Sequence, residues 1–311
     1  MRFRPLAAAT LALGLFGCGR GGSDAEARPS GDVPPAFDGT AAYETVRAQV
    51  AFGPRVPGTA AHRAAGDWLV QQLRASADTV IVQTWTHRTS AGAALPMRNI
   101  LARFRPTEAS RVLYVAHWDS RPRADAVGSA QPTAPVPRAN DGGSGVAILE
   151  VARQLRLAPP AVGVDLLLVD GEDYGDFDTD TDVLIGSRYF AEHLPAPGYA
   201  PLFGVLWDMV GDSLPVFEQE ANSVRGAPEV VQRVWATAQR LGHGAAFTNR
   251  AGLAITDDHV PLLAQGLRVI DVIDLDYPWH HTVDDTVDKV SVRTLQLVGE
   301  VAMAVLRDLA P

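Results

Sequence analysis

Apolar residues recur along the chain with two periods. Spacing by three and four positions predicts helices over 41–50, 62–75, 144–156, 228–241 and 292–309. Runs rich in valine, isoleucine and leucine predict strands over 80–84, 99–104, 111–116, 164–169, 203–207 and 268–273. The two patterns alternate from about Phe37 onward, with no internal repeat and no second linker. Such alternation implies one three-layer α/β/α domain over 37–311, built on a mostly parallel, mixed and twisted sheet. In sheets of this kind, sites gather beyond the carboxyl ends of the strands. Polar residues fall at those ends: His117, the stretch 170–173, Asp208, and the residues from Asp271 onward.

The first 36 residues follow a different pattern. Arg2 and Arg4 precede a short apolar run over 6–16, as in an export signal. Leu15-Phe16-Gly17-Cys18 is similar to a bacterial lipobox, which makes 1–18 a signal peptide with Cys18 as the lipidated residue. Residues 19–36 are small, polar and proline-bearing, a tether. The expectation is an exported lipoprotein anchored in a membrane and facing the periplasm or cell surface. Simple secretion is the alternative, because Phe16 is bulky for that position. Cys18 is the one cysteine, so the folded domain has neither a disulfide nor a thiolate ligand. A net charge of −9 argues against a nucleic-acid partner, and no later run is apolar enough to span a membrane. Nothing in the sequence sets an oligomeric state.

Candidate chemistry is concentrated in acid-rich islands and a histidine pair. They are His117-Trp118-Asp119, Asn140-Asp141-Gly142-Gly143, Asp170-Gly171-Glu172-Asp173, Asp257-Asp258-His259 and Trp279-His280-His281-Thr282-Val283-Asp284-Asp285. Zinc takes three or four N, O or S ligands, and a catalytic zinc keeps one position open. A second carboxylate beside a ligand suits proton transfer. Each island also has a plainer reading. Asp141 and Ser144 could cap the helix that follows, and adjacent acids at a strand end could be loop charges. The acidic run over 176–182 lacks the sixth-position glycine and the twelfth-position glutamate of a calcium-binding loop.

Together the islands resemble the zinc exopeptidase-like family that contains leucyl-type aminopeptidases and glutaminyl cyclases, with the cyclases, including bacterial ones, the more similar. The carrying motifs are Ala116-His117-Trp118-Asp119-Ser120, Ala139-Asn140-Asp141, Asp170-Gly171-Glu172-Asp173-Tyr174-Gly175, Gly186-Ser187-Arg188, Asp208-Met209-Val210-Gly211, Asp257-Asp258-His259-Val260-Pro261 and His281-Thr282. The resemblance implies one zinc ion held by Asp141, Asp173 and His281, with Glu172 as general acid/base and Asp208 and Asp257 as an acid pair behind it. It implies conversion of N-terminal glutamine of peptides and proteins to pyroglutamate, with loss of ammonia. The long loop over 173–185 is cyclase-like. Three departures stand out: Asp173 replaces the glutamate of animal cyclases, Phe177 is the nearest aromatic to a missing loop tryptophan, and His280 is an additional neighbour of the ligand histidine. The second reading is a two-zinc aminopeptidase, in which His117 and Asp208 hold another ion, Asp141 bridges and Glu172 activates water. A lipid-anchored binding protein with an inactive site is the third.

The lipobox reading predicts that Cys18→Ser moves the protein from the membrane fraction to soluble or unprocessed material. Wild-type protein recovered in the soluble periplasmic fraction would favour simple secretion instead.

Overall fold

The computed structural model describes residues 36–309. The expected signal peptide, Cys18 and all of the expected tether but its last residue lie outside them. In chain order come α1 (Gly39–Val50), α2 (Ala60–Ser76), β1 (Thr79–Arg88), β2 (Ala94–Phe104) and β3 (Arg111–His117). A 3₁₀ turn (Ser144–Ala147) leads into α3 (Ile148–Leu157), followed by β4 (Gly163–Val169), α4 (Ile185–Glu192) and β5 (Phe203–Asp208). Then follow β6 (Phe217–Gln219), α5 (Ala221–Gly226), α6 (Pro228–Arg240), β7 (Phe247–Ala251), α7 (His259–Ala264), β8 (Val269–Ile273) and α8 (Val292–Arg307).

All six expected strands pair into one sheet of order β1-β2-β4-β3-β5-β8. The pairs β4–β3, β3–β5 and β5–β8 are parallel, whereas β2 is antiparallel to both β1 and β4. Only β2 therefore opposes the common direction, which makes the sheet mixed but mostly parallel. Side chains alternate between its faces. Val112, Tyr114 and Ala116 of β3 pack with α1, α2, α3, α6 and α8, while Leu113 and Val115 pack with Phe190 of α4 and Leu262 of α7. That gives the three layers. Strand β3 is buried throughout, as a strand covered on both faces must be.

The five expected helices form with ends shifted by at most two residues, apart from the 144–156 segment, whose first turn is 3₁₀. Sequence periodicity missed α4, α5, α7 and the small parallel pair β6–β7, all three to eight residues long. A segment of that length spans too few turns to show a period.

The topology places one point of special access. Chain order reverses at β3, with β4 on one side and β5 on the other, and the crevice at such a switch opens beyond the strand ends. The 3₁₀ turn sits directly over it. A Cβ at Gly145 would lie 2.9 Å from the Ala116 side chain and closer still to the Trp207 carbonyl oxygen. Only glycine lets the turn come this near to β3 and β5, and the turn carries Asp141 just upstream.

Candidate metal centre

Two buried carboxylates shape the turns on which the candidate ligands sit. Asp119, two residues beyond β3, accepts the Glu172 N–H at 3.1 Å on one oxygen and the Asp173 N–H at 3.3 Å on the other. The turn after β4 is thus held through its own backbone. Asp285 does the same on the opposite wall, accepting Asn140 N–H at 2.9 Å, Asp141 N–H at 3.3 Å and the Tyr277 hydroxyl at 2.7 Å. Gly142 makes that second turn possible. Its φ is +62°, and a Cβ there would press on His117 and the Asp119 carbonyl.

The held turns converge on a cavity of about 290 Å³, whose walls include Asp141, Glu172, Asp173, Asp208, Asp257, His280 and His281. All six residues assigned a role by resemblance therefore line one cleft. His117 Nε2 stands 2.9 Å from Asp141 Oδ1 and 3.2 Å from Asp208 Oδ1. His280 Nε2 is 3.4 Å from Asp141 Oδ2, and His281 Nε2 is 3.8 Å from Asp173 Oδ1. His281 Nδ1 faces Asp125 at 3.4 Å. Arg121 donates to Asp173 Oδ1 at 2.6 Å and also to Asp125, so one guanidinium orients both carboxylates.

Some sequence candidates fall away from the cleft. Asp170 turns back into the domain, bonded to His62 Nε2 at 2.8 Å and to the Arg98 N–H at 2.8 Å. Asp258 accepts the Ser187 hydroxyl, and His259 faces Glu220 at 3.1 Å. The acidic run over 176–182 closes on itself through an Asp176–Thr181 bridge and contributes Phe177 and Asp178 to the cleft wall. Arg138 was not anticipated. Fully buried at a φ of +57°, it ion-pairs with both Asp141 and Asp173, and no periodicity marks it in the sequence. The positioning roles of Asp119, Asp285, Arg121 and Asp125 were missed as well. For Arg121 and Asp125 the four-residue spacing was the available signal.

Burial and like charge set the protonation of these groups. Burial raises the Glu172 carboxyl well above the carboxylate range, with Asp257, Asp258 and Asp208 adding to the shift and His117 opposing it. Burial and then Asp208 push Asp257 up to about 7. Asp208 itself is lowered, because His117 outweighs its desolvation. His117 is raised well above the usual range by Asp208 and Glu172 against its own burial. Burial and Arg138 lower His280 to about 4 and lower His281 as well, leaving both as neutral imidazoles.

The donor set fits zinc. Ligand atoms of Asp141, His280 and His281 lie within 4.8 Å of one another, as do those of His117, Asp141 and Asp208. Carboxylates and imidazoles are the oxygen and nitrogen donors zinc accepts. The same site holds the buried Arg138 guanidinium against Asp141 and Asp173, so these carboxylates gather positive charge where a cation would sit. The sequence model of peptidase family M28 matches residues 99–306 of this chain. The chain belongs to peptidase family M28.

Proteins named for two different activities are among its relatives. It is 27% identical over 252 residues to aminopeptidase YwaD of Bacillus subtilis, covering 77% of this chain but only 48% of YwaD. It is also 27% identical over 291 residues to the glutaminyl-peptide cyclotransferase of Bos taurus, covering 79% of this chain and 76% of that one. Among solved structures, Porphyromonas gingivalis glutaminyl cyclase superposes with a TM-score of 0.83 at 40% identity, over 87% of this chain and 98% of its own.

The Asp119 clamp generates a test of this M28 centre. Asp119→Asn should lower zinc affinity about 10–100-fold, the usual effect of losing a group that orients metal ligands. Chelator competition on the folded variant measures it. Unchanged affinity would mean that the turn after β4 holds itself.

Proposed function

We propose that this M28 protein is a zinc-dependent glutaminyl-peptide cyclotransferase, turning N-terminal glutamine of peptides and proteins into pyroglutamate and releasing ammonia. The observation that carries it is the pairing of likeness and geometry. The chain is similar to bacterial glutaminyl cyclase over nearly the whole of the latter, and its cleft sets the carboxyls of Glu172 and Asp257, both of raised proton affinity, against apolar walls from Phe177, Met209, Ile255, Ile273 and Leu275.

One zinc ion would be held by Asp141, Asp173 and His281, and when bound it would polarise the side-chain amide carbonyl of the glutamine. The chain's own residues supply the rest. The cleft holds the free α-amine against the amide carbon, so ring closure is an intramolecular attack in a fixed geometry. As the new C–N bond forms, Glu172 takes a proton from the amine nitrogen. It delivers that proton to the departing amide nitrogen as the old C–N bond breaks, and ammonia leaves. A carboxyl whose proton affinity is raised by burial suits both halves of this exchange. Asp257 and Asp208 steady the proton-bearing groups by hydrogen bonding. No water takes part, and the apolar walls help to exclude it.

A second reading has its own support. His117, Asp141 and Asp208 cluster as closely as Asp141 does with the two histidines, so Asp141 could bridge two zinc ions in an aminopeptidase with Glu172 activating water. The proposal also includes the domain plan: a signal peptide over 1–18, a tether over 19–36 and a catalytic domain over 37–311, anchored to a membrane through Cys18.

Two substitutions separate the neighbouring acids. Glu172→Gln should bind zinc normally and lose about 100-fold or more in turnover, the size of a general acid/base contribution. Asp173→Asn should instead lose zinc, since a neutral amide is the poorer ligand. The assays are ammonia and pyroglutamate from a Gln-initiated peptide, run beside metal analysis. Release of the free N-terminal amino acid, with no pyroglutamate, would establish the aminopeptidase reading. Loss of zinc from Glu172→Gln alone would reverse the two assignments.

A further inference from the structure

Beside the cleft lies a smaller recess of about 70 Å³ that the reaction does not use. It shares Ile255, Ile273 and Leu275 with the cleft wall, so the two spaces adjoin. Its outer wall is Leu253, a leucine left 73% exposed, next to Leu275 at 38%. Exposed aliphatic side chains gathered at the mouth of a site mark a surface that a ligand covers.

The recess is built rather than incidental. The Gly252 N–H donates to the Gln219 carbonyl at 2.9 Å, and the Leu253 carbonyl accepts the Ala221 N–H at 3.0 Å. Glu220 accepts the Ile255 N–H at 2.9 Å, and Asn222 donates to the Ile255 carbonyl at 2.7 Å. Four hydrogen bonds thus strap 252–255 to β6 and α5, holding Leu253 outward on a fixed backbone. At the rim, Glu218 is paired with Arg250 at 3.0 Å, whereas Asp276 is exposed and forms no ion pair among the described residues. Glu220 lines the recess as a second carboxylate, held at about 2 because His259 and backbone N–H donors outweigh its burial.

We infer that this recess receives the side chain of a residue downstream of the N-terminal glutamine, accepting an aliphatic stem, with or without a basic end, and rejecting a carboxylate. The inference rests on the cyclotransferase reading and names its substrate class. Continuity with the cleft supplies the path, the exposed leucines supply apolar contact, and exposed Asp276 sets the sign of the charge.

The test uses the full chain and two peptide series, Gln-Xaa and Gln-Gly-Xaa, with Xaa as Leu, Lys, Gly or Glu. Glutamine amide serves as the substrate too short to reach the recess. In one series kcat/KM should be roughly tenfold higher for Leu and Lys than for Gly, the usual scale of an apolar side-chain contact, and lower for Glu. Leu253→Ser should bring the Leu-to-Gly ratio close to one while glutamine amide turnover stays unchanged. Asp276→Asn should raise the Glu peptide alone. Equal rates across both series, or a Leu-to-Gly ratio that survives Leu253→Ser, would overturn the inference. Absence of ammonia from glutamine amide would instead overturn the cyclotransferase reading. The recess would then be tested with Leu-initiated peptides carrying the same Xaa series, read as released amino acid, where the same ratios support it and flat ratios overturn it.

Discussion

Repulsion among buried carboxylates is the constraint around which this protein is organised. Asp141, Glu172, Asp173, Asp208 and Asp257 face one cleft, and each is almost inaccessible to solvent. Charges brought together away from water interact far more strongly than at a surface, and they persist only when paired, protonated or bound to a cation. The structure shows the first two remedies. Arg138 and Arg121 pair with the candidate-ligand carboxylates, His117 pairs with Asp208, and burial raises the proton affinity of Glu172 and Asp257. A divalent cation held at the same point would supply the third.

The fold makes this concentration of charge affordable in geometric terms by fixing backbone before side chain. The carboxyl ends of β3, β4, β5 and β8 meet near the switch in strand order, so residues distant in sequence arrive together, Asp141 and His281 on the long connections that follow β3 and β8. Asp119 and Asp285 then tie down the two turns that carry Asp141, Glu172 and Asp173. These clamps bond to N–H groups, leaving the candidate-ligand carboxylates themselves directed into the cleft. The acidic chemistry therefore depends on acids that never enter it.

Much of this was legible in the sequence. The six strands of the main sheet and the five long helices follow from hydrophobic period, because each spans enough residues to show one. His117, Glu172, Asp173 and Asp208 were legible as polar residues at or just beyond strand ends, whereas the roles of Asp141, Asp257 and His281 came from the family resemblance. What stayed hidden depends on tertiary distance. Asp119 and Asp285 stand in acid-rich islands beside the candidate ligands, and only the hydrogen bonds separate a clamp from a ligand. Arg138 is invisible for a different reason: one buried cation has no period, and its partners lie 3 and 35 positions downstream, at Asp141 and Asp173. His280 and His281 are adjacent and both reach the cleft, so neither pattern nor proximity alone ranks them.

One countable quantity separates a cyclotransferase of this kind from a two-metal aminopeptidase. A cyclotransferase site of this design uses a single cation held by Asp141, Asp173 and His281, with His117 and Asp208 engaged with each other. A two-metal aminopeptidase places a second ion on His117 and Asp208. Metal analysis of the purified full-length protein, saturated with zinc and then freed of loosely held ion, decides between them most directly. One equivalent per chain, kept in His117→Ala, is the result expected here. Two equivalents per chain, with the second lost in that variant, would contradict it.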